Sequence, residues 1–472
     1  MTIMIDQSFS AENFEKIFNI ENRKGNINKD TLPAEYITLL VRIKEIRENI
    51  NELRDKYRRE EISKDDLLKE RDAQNDKIKK LQSEKETILY ENLKKISEEV
   101  NSSKFRFDFN VGDHKGKPTY EIGNNVAQFY AIKQLQYNIR KTFKVKQADR
   151  YRILKQIKLL LSDGFPKIVI RTDIESFYES IPQNKLLNKV LDSTLLTHKS
   201  KQFISNIITE YEKLKDKSLE RSGYGVPRGV GISAYLSELY MSDFDRDLKS
   251  IAYVTFYARY VDDIFIIITP PSKTDDTDYQ KPVEDICTKF GLTMKVAKTK
   301  VVKVMETTPK QITIDYLGYS FVLNQCKLTI NLTRSKTEKY KDRIIKAFDC
   351  YNTESKYNER RARKLLFDRL RFLCGNTKLL NSKEGIKVGV YYSNSLLEES
   401  NLSSLKTLNC FLMRMVYTNL KPHCEYSFDV NKLKKQIVRR FDFCNGFKQK
   451  RFHNYTAKEL IEIKKRGLDY EF

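Results

Sequence analysis

The stretch Tyr253–Thr269, YVTFYARYVDDIFIIIT, decides how the rest of the chain is read. Two runs rich in Tyr, Val, Ile and Phe, 253–257 and 264–269, flank Tyr260-Val261-Asp262-Asp263, so the pattern predicts a β-hairpin with two acids at its tip. Asp pairs are ordinary turn residues, and most are simply solvated. Two adjacent carboxylates nevertheless repel, and a divalent cation held by them and by substrate phosphates removes that cost. Upstream, Lys167–Thr172 (KIVIRT) reads as a short apolar strand running into Asp173, followed by a helix that Pro182 limits. An acid closing one strand and a pair on a neighbouring hairpin can share a sheet face and hold two cations ~4 Å apart, as in-line phosphoryl displacement requires.

These residues carry a resemblance. Asp173-Ile174-Glu175-Ser176-Phe177-Tyr178 resembles the D-I-x-S-F-F/Y motif of reverse transcriptases, and Tyr260–Asp263 resembles their Y-x-D-D motif. The resemblance spans roughly residues 105–330 and implies an α+β right-hand polymerase fold: an antiparallel-sheet palm, helical fingers, a helical thumb and an N-terminal helical hairpin. It implies nucleotidyl transfer, with Asp173, Asp262 and Asp263 catalytic, Asp173, Ile174, Asp262 and Asp263 forming the metal shell, and two Mg²⁺ (or Mn²⁺) ions as cofactor. A primer 3′-hydroxyl, or a protein hydroxyl, attacks the α-phosphorus of a dNTP, and catalysis then consists of positioning and charge neutralisation.

Further positions follow the same pattern. QADRYRILKQIKLLL, 147–161, resembles a fingers motif of bacterial relatives, making Arg150 and Arg152 candidate triphosphate contacts through bidentate guanidinium geometry. Tyr178, five residues after Asp173, falls where the resemblance places the ring under the sugar; such a ring collides with a ribose 2′-OH and selects deoxynucleotides. GYGVPRGVGIS, 223–233, keeps Pro227, Gly229 and Ser233 of the family's G-x-P-Q-G-x-x-x-S loop but has Arg228 in place of Gln, and Ala234 in place of Pro. Arg228 and Gly229 are therefore nucleotide-binding candidates with altered sugar and base contacts. Lys298, in LTMKVAKTK, is the candidate that protonates leaving pyrophosphate, and a plain surface lysine is the competing reading. Leu317-Gly318-Tyr319 resembles the primer-grip turn. The departures at 228 and 234 point toward the abortive-infection and defence-associated bacterial reverse transcriptases, and hence toward antiviral defence.

Composition sets the partners. The 472 residues suggest two or three domains, and a net charge of +23 with pI ≈ 9.4 implies a polyanionic partner. That partner is expected to be RNA, a dedicated non-coding template, with DNA as product; a second copy or a partner protein would complete the assembly. The seven cysteines are scattered and odd in number, with no C-x-x-C, and the four histidines are dispersed, which excludes a disulfide framework and zinc chemistry. No apolar run reaches a membrane span and no signal pattern opens the chain, so the expected location is cytoplasmic.

Three regions are expected. Residues 1–103 contain a helical hairpin, with Leu39, Ile43, Ile46, Ile50, Leu53 and Tyr57 forming one seam and Ser63 capping the second arm. Residues 104–332 are fingers and palm, with Asn110–Tyr120 read as a loop because Gly112, Gly116 and Pro118 interrupt it. Residues 333–472 form a basic helical thumb and RNA-binding region, where KKQIVRRFDFCNGFKQKRF interleaves cations with aromatics. Rival readings are untemplated or protein-primed DNA synthesis, an RNA-dependent RNA polymerase, and a non-catalytic RNA-binding scaffold.

Overall fold

The structure, a computed structural model, describes residues 5–114, 116–122, 125–216, 221–272, 274–304, 311–324, 327–378, 387–421 and 430–464; Cys326 and Cys424 lie outside these. The chain divides into two units interleaved in sequence: 1–147, 175–247 and 285–293 make the first, and 148–174, 248–284 and 294–472 the second.

The first unit is mainly helical. Ala34–Arg58 and Lys64–Asn101 pair as an antiparallel hairpin whose seam buries Ile43, Ile50 and Ile78. The seam stops short of its predicted end, because Tyr57 is exposed. Ser63 caps the second arm, its Oγ accepting from the Asp66 backbone N–H at 3.2 Å. A helix absent from the sequence reading precedes this pair: Ala11–Lys24, capped by Ser10, buries Phe14, Ile17 and Phe18 on one face. Phe14, Ile17, Phe18 and Glu21 follow helical spacing, but over too few turns to stand out from the polar flanks. Phe9, Phe105 and Phe107 pack round Phe203 with ring centroids 4.8–5.4 Å apart.

The expected loop at Asn110–Tyr120 is a β-hairpin, and that reading is corrected. β1 (Phe109–His114) pairs antiparallel with β2 (Lys117–Ile122). Gly116, at φ +74°, supplies the turn, and Asp113 Oδ1 accepts its N–H at 3.0 Å. Pro118 is tolerated because a two-stranded ribbon is all edge and needs no donor on its outer side.

The second unit is built on a four-stranded antiparallel sheet in the order β4-β5-β3-β6: β3 is Lys167–Asp173, β4 Val254–Tyr260, β5 Asp263–Ile268 and β6 Lys300–Val304. The two inner strands β3 and β5 are almost wholly buried, which is why KIVI and IFIII read as continuous apolar runs rather than alternating ones. A second sheet, β7 (Ile312–Tyr316), β8 (Tyr319–Asn324) and β9 (Lys327–Leu332), is a meander. Helices Arg334–Glu354, Glu359–Cys374 and Ser403–Thr418 follow, and one core joins Phe265 of β5 with Phe321 of β8, Phe348, Leu370 and Leu412. The class is therefore α+β with antiparallel sheets, as expected. No described helix is long and apolar enough to cross a membrane.

Candidate active site

The β4–β5 connection is a two-residue turn, since Tyr260 pairs directly with Asp263 and only Val261 and Asp262 lie between. Val261 sits at φ +60°, costly for a β-branched residue. Arg259 holds it there, Nη1 donating to the Val261 carbonyl at 2.9 Å. On the other side of β5, Asp263 pairs in register with Asp173, the last residue of β3. Ile174 continues past that pair, its N–H donating to the Asp262 carbonyl at 3.1 Å. Sheet register alone thus brings Asp173, Ile174, Asp262 and Asp263 to one end of the sheet.

The two facing carboxyls are electrostatically unequal. Burial, a hydrogen bond with Asp173 and the Asp173 charge push Asp263 up to about 7. Burial also pushes Asp173 upward, but the hydrogen bond with Asp263 and the Lys298 ammonium outweigh it and hold Asp173 below the usual range. Lys298 Nζ donates to Asp173 Oδ2, and that bond raises the lysine in return. Arg171 Nη2 reaches Asp263 Oδ1 at 3.3 Å and lies 3.8 Å from Asp173 Oδ1. Lys298 is fixed from behind: the Lys295 N–H donates to the Asp173 carbonyl at 2.8 Å, and Thr172 and Thr299 hydroxyls meet at 2.7 Å. This favours the site lysine over the surface one.

A divalent cation fits this donor set. Asp173 Oδ1 is buried with no amide, hydroxyl or basic group donating to it, and burial together with the Asp173 carboxylate pushes Asp263 up. Among the described residues no three acidic, His or Cys side chains converge on one ion position; the close pair is Asp173 with Asp263.

The β7–β8 turn, Leu317-Gly318, has φ +43° and +79°, the two positive values of a type I′ turn. Tyr316 OH donates to the Asp263 carbonyl at 3.1 Å, tying this turn to the catalytic strand. Arg150 stands on the turn and not on the acids: Nη2 donates to the Leu317 carbonyl at 2.5 Å, and its guanidinium lies 5.8 Å from the Tyr319 ring. Arg152, two residues further along helix Arg150–Leu161 and about half a turn round it, is exposed. Lys336, which sequence reasoning passed over as one of many thumb cations, lies 4.6 Å over the same Tyr319 ring and donates to the Ser393 carbonyl. A cavity of about 460 Å³ collects Arg150, Lys336, Lys339 and Arg343 beside Tyr260 and Gly318, and no carboxylate lines it. Burial, with Arg150 and Arg343 adding repulsion, brings Lys336 down to about 7. Four cations without an acid suit a phosphate chain.

In the first unit, the glycine-rich loop is stitched to the turn carrying Tyr178. Val226 N–H donates to the Tyr178 carbonyl at 2.9 Å, and Gly225 N–H to that of Ile181 at 2.7 Å. Arg228 pairs with Glu179, Nη2 to Oε1 at 2.7 Å, and its guanidinium lies 5.9 Å from the Tyr178 ring. Glu179 escaped the sequence reading; the unusual arginine 49 positions later was its only signal. The Arg228 carbonyl accepts from Tyr120 N–H at 2.7 Å, and at Gly229, φ +97°, a Cβ would sit 2.8 Å from the Tyr120 oxygen. Only glycine allows that approach.

Residues 93–321 match the reverse transcriptase (RNA-dependent DNA polymerase) family, so that stretch is a reverse transcriptase domain. No curated protein matches the chain. Among solved structures, apo telomerase from Candida tropicalis is 13% identical over 74% of this chain and 64% of its own, with a TM-score of 0.35. Telomerase from Candida albicans, in complex with a TWJ fragment of telomeric RNA, is 13% identical over 65% of this chain and 53% of its own, TM-score 0.29. A C-terminally truncated apo telomerase from C. tropicalis is 15% identical over 50% of this chain and 56% of its own, TM-score 0.33. The chain thus spans between about half and two thirds of those telomerases.

Proposed function

We propose that the chain is an RNA-directed DNA polymerase that extends a primer with deoxynucleotides using two Mg²⁺ ions, carries a dedicated non-coding RNA as template, and serves bacterial antiviral defence in the cytoplasm. The observation that carries the chemistry is the register of Asp173 against Asp263, with an unsatisfied Asp173 oxygen between strand end and YVDD turn. Asp173, Asp262 and Asp263 would hold the ions, which when bound supply charge neutralisation at the α-phosphate and the leaving group. Everything else belongs to the chain. Lys298, whose Nζ donates to Asp173 Oδ2, would give its proton to the leaving pyrophosphate. Arg150, Lys336, Lys339 and Arg343 would receive the backbone of the primed strand beside the Leu317-Gly318 turn. Tyr178, braced by Arg228, would exclude a 2′-OH.

The net charge of +23 supports a resident RNA. The defence assignment is supported by the Arg228 and Ala234 departures. The test is to purify the chain from its native context, sequence the nucleic acid that accompanies it, and add each labelled dNTP singly with Mg²⁺, with and without ribonuclease pretreatment. Incorporation lost after ribonuclease, with one defined RNA recovered, is the expected result. Incorporation of one nucleotide that survives ribonuclease would instead mean untemplated or protein-primed synthesis, and no incorporation at all would leave a scaffold.

A further inference from the structure

A basic groove of the second unit lies away from the candidate catalytic residues, between helix Glu359–Cys374 and helix Val430–Arg440. Its cavity of about 660 Å³ is lined by five arginines (360, 361, 363, 371, 440) and Lys364, against one carboxylate, Asp368. Asp368 is already satisfied by Arg371 Nη1 at 2.7 Å. Carboxylates outside the groove temper it, with Glu462 3.3 Å from Arg361, Glu359 3.7 Å from Arg363 and Glu459 3.8 Å from Lys364. Arg360 and Arg440 project from the two rims, both exposed, Arg440 5.5 Å from the Phe367 ring. This groove shares no residue with the cavity at the primer-grip turn.

A bare aromatic adjoins it. Tyr357 is 88% exposed, the highest value among the large hydrophobic residues, and lines a neighbouring cavity of about 400 Å³ that shares Asn358 and Arg361 with the groove. An arginine cluster alone would suit any polyanion. A solvent-facing ring flanking the arginines is what a splayed base stacks on, and guanidinium planes offer further stacking surface. An acidic peptide has no use for that ring.

We propose that this groove is a single-stranded RNA site, with Arg360 and Arg440 on phosphates and Tyr357 under a base, which anchors an unpaired segment of the bound RNA outside the polymerase centre. The proposal rests on the reading that the chain carries RNA. Its binding arm is nonetheless independent of DNA synthesis.

The test uses the full chain, a fluorescent oligouridylate, and heparin as a polyanion without bases, titrated over a range of salt. R360E/R440E is expected to weaken oligouridylate at least ~10-fold and to reduce the slope of log Kd against log salt by about 1.4, two phosphate contacts at the single-strand value. Y357A is expected to weaken oligouridylate ~5- to 100-fold, the worth of one stacked base, and to leave heparin affinity unchanged. Oligouridylate affinity within twofold of wild type for either variant would overturn the site. So would equal weakening of heparin by Y357A, which would mark a general polyanion surface or an acidic protein partner. Synthesis on a saturating primed template is read separately: a wild-type protein that makes no DNA defeats the polymerase reading and leaves the binding result standing.

Discussion

At the scale of single residues, Asp263 carries the cost of the site. Its folded value near 7 lies above the ordinary 3.8, so the folded state binds more protons between those values, and this group's contribution to stability falls as pH rises from 3.8 through 7. In metal-free protein, D263N is therefore expected to melt higher than wild type above pH 7, with the gain fading as pH falls toward 3.8; a lower melting temperature across the range would contradict the carboxyl repulsion. Arg228 is the complementary case, a substitution that recruited a partner. R228Q leaves Glu179 half-buried and alone, at an expected ~1–2 kcal/mol, and E179Q in addition should recover most of it, so that a double-mutant cycle by urea unfolding shows coupling. Val261 is strained by its positive φ, and V261N, which suits that conformation, should gain ~1 kcal/mol; a loss would mean that the valine side chain is needed for packing.

At the scale of elements, the sequence displayed what is periodic and hid what is made by pairing. The helical hairpin was legible because its apolar positions repeat over many turns, and Ser63 because a cap has a fixed offset from its helix. S63A should cost ~1 kcal/mol in the hairpin and leave nucleotide incorporation unchanged, measured by thermal melting beside a primer-extension assay. The β1–β2 ribbon was missed because Gly112, Gly116 and Pro118 look like breakers until the turn at Gly116 and the edge position of Pro118 are seen. The acids of the site were legible as residue types at the ends of apolar runs, but which of the YVDD pair faces Asp173 is a matter of strand register, invisible in sequence. Arg150 was read as a triphosphate ligand from its motif, whereas its place on the Leu317 carbonyl depends on a contact 167 positions away. Lys336 has no local signal at all, since its burial comes from Tyr319 and Ser393. A lysine brought down to about 7 is neutral above that pH, and an incoming phosphate chain would return its proton. Affinity for a primed duplex is thus expected to fall as pH rises from about 7 toward 10.5, and K336M to flatten that profile; an unchanged profile would remove Lys336 from the binding surface.

At the scale of the whole molecule, the chain carries an excess of 23 positive charges, and in the second unit two separate cavities collect cations with one carboxylate between their linings. One cavity adjoins the Leu317-Gly318 turn, and the other lies between the C-terminal helices, where the proposed function and the proposed RNA site put a reacting end and a distant segment of the same nucleic acid. The candidate active site itself uses few residues: two strand ends, a strained turn and a lysine. On the proposed function the acids serve to position ions, so their removal should abolish chemistry while sparing structure. The most direct measurement is incorporation of a labelled dNTP on a primed RNA template with Mg²⁺ by wild type and by D173N, alongside thermal melting of both. Loss of incorporation by at least ~1,000-fold with melting preserved is the predicted result, the scale expected when an essential charge-stabilising group is deleted. Incorporation by D173N within tenfold of wild type would contradict the assignment of the β3 end and the YVDD turn as the polymerase centre.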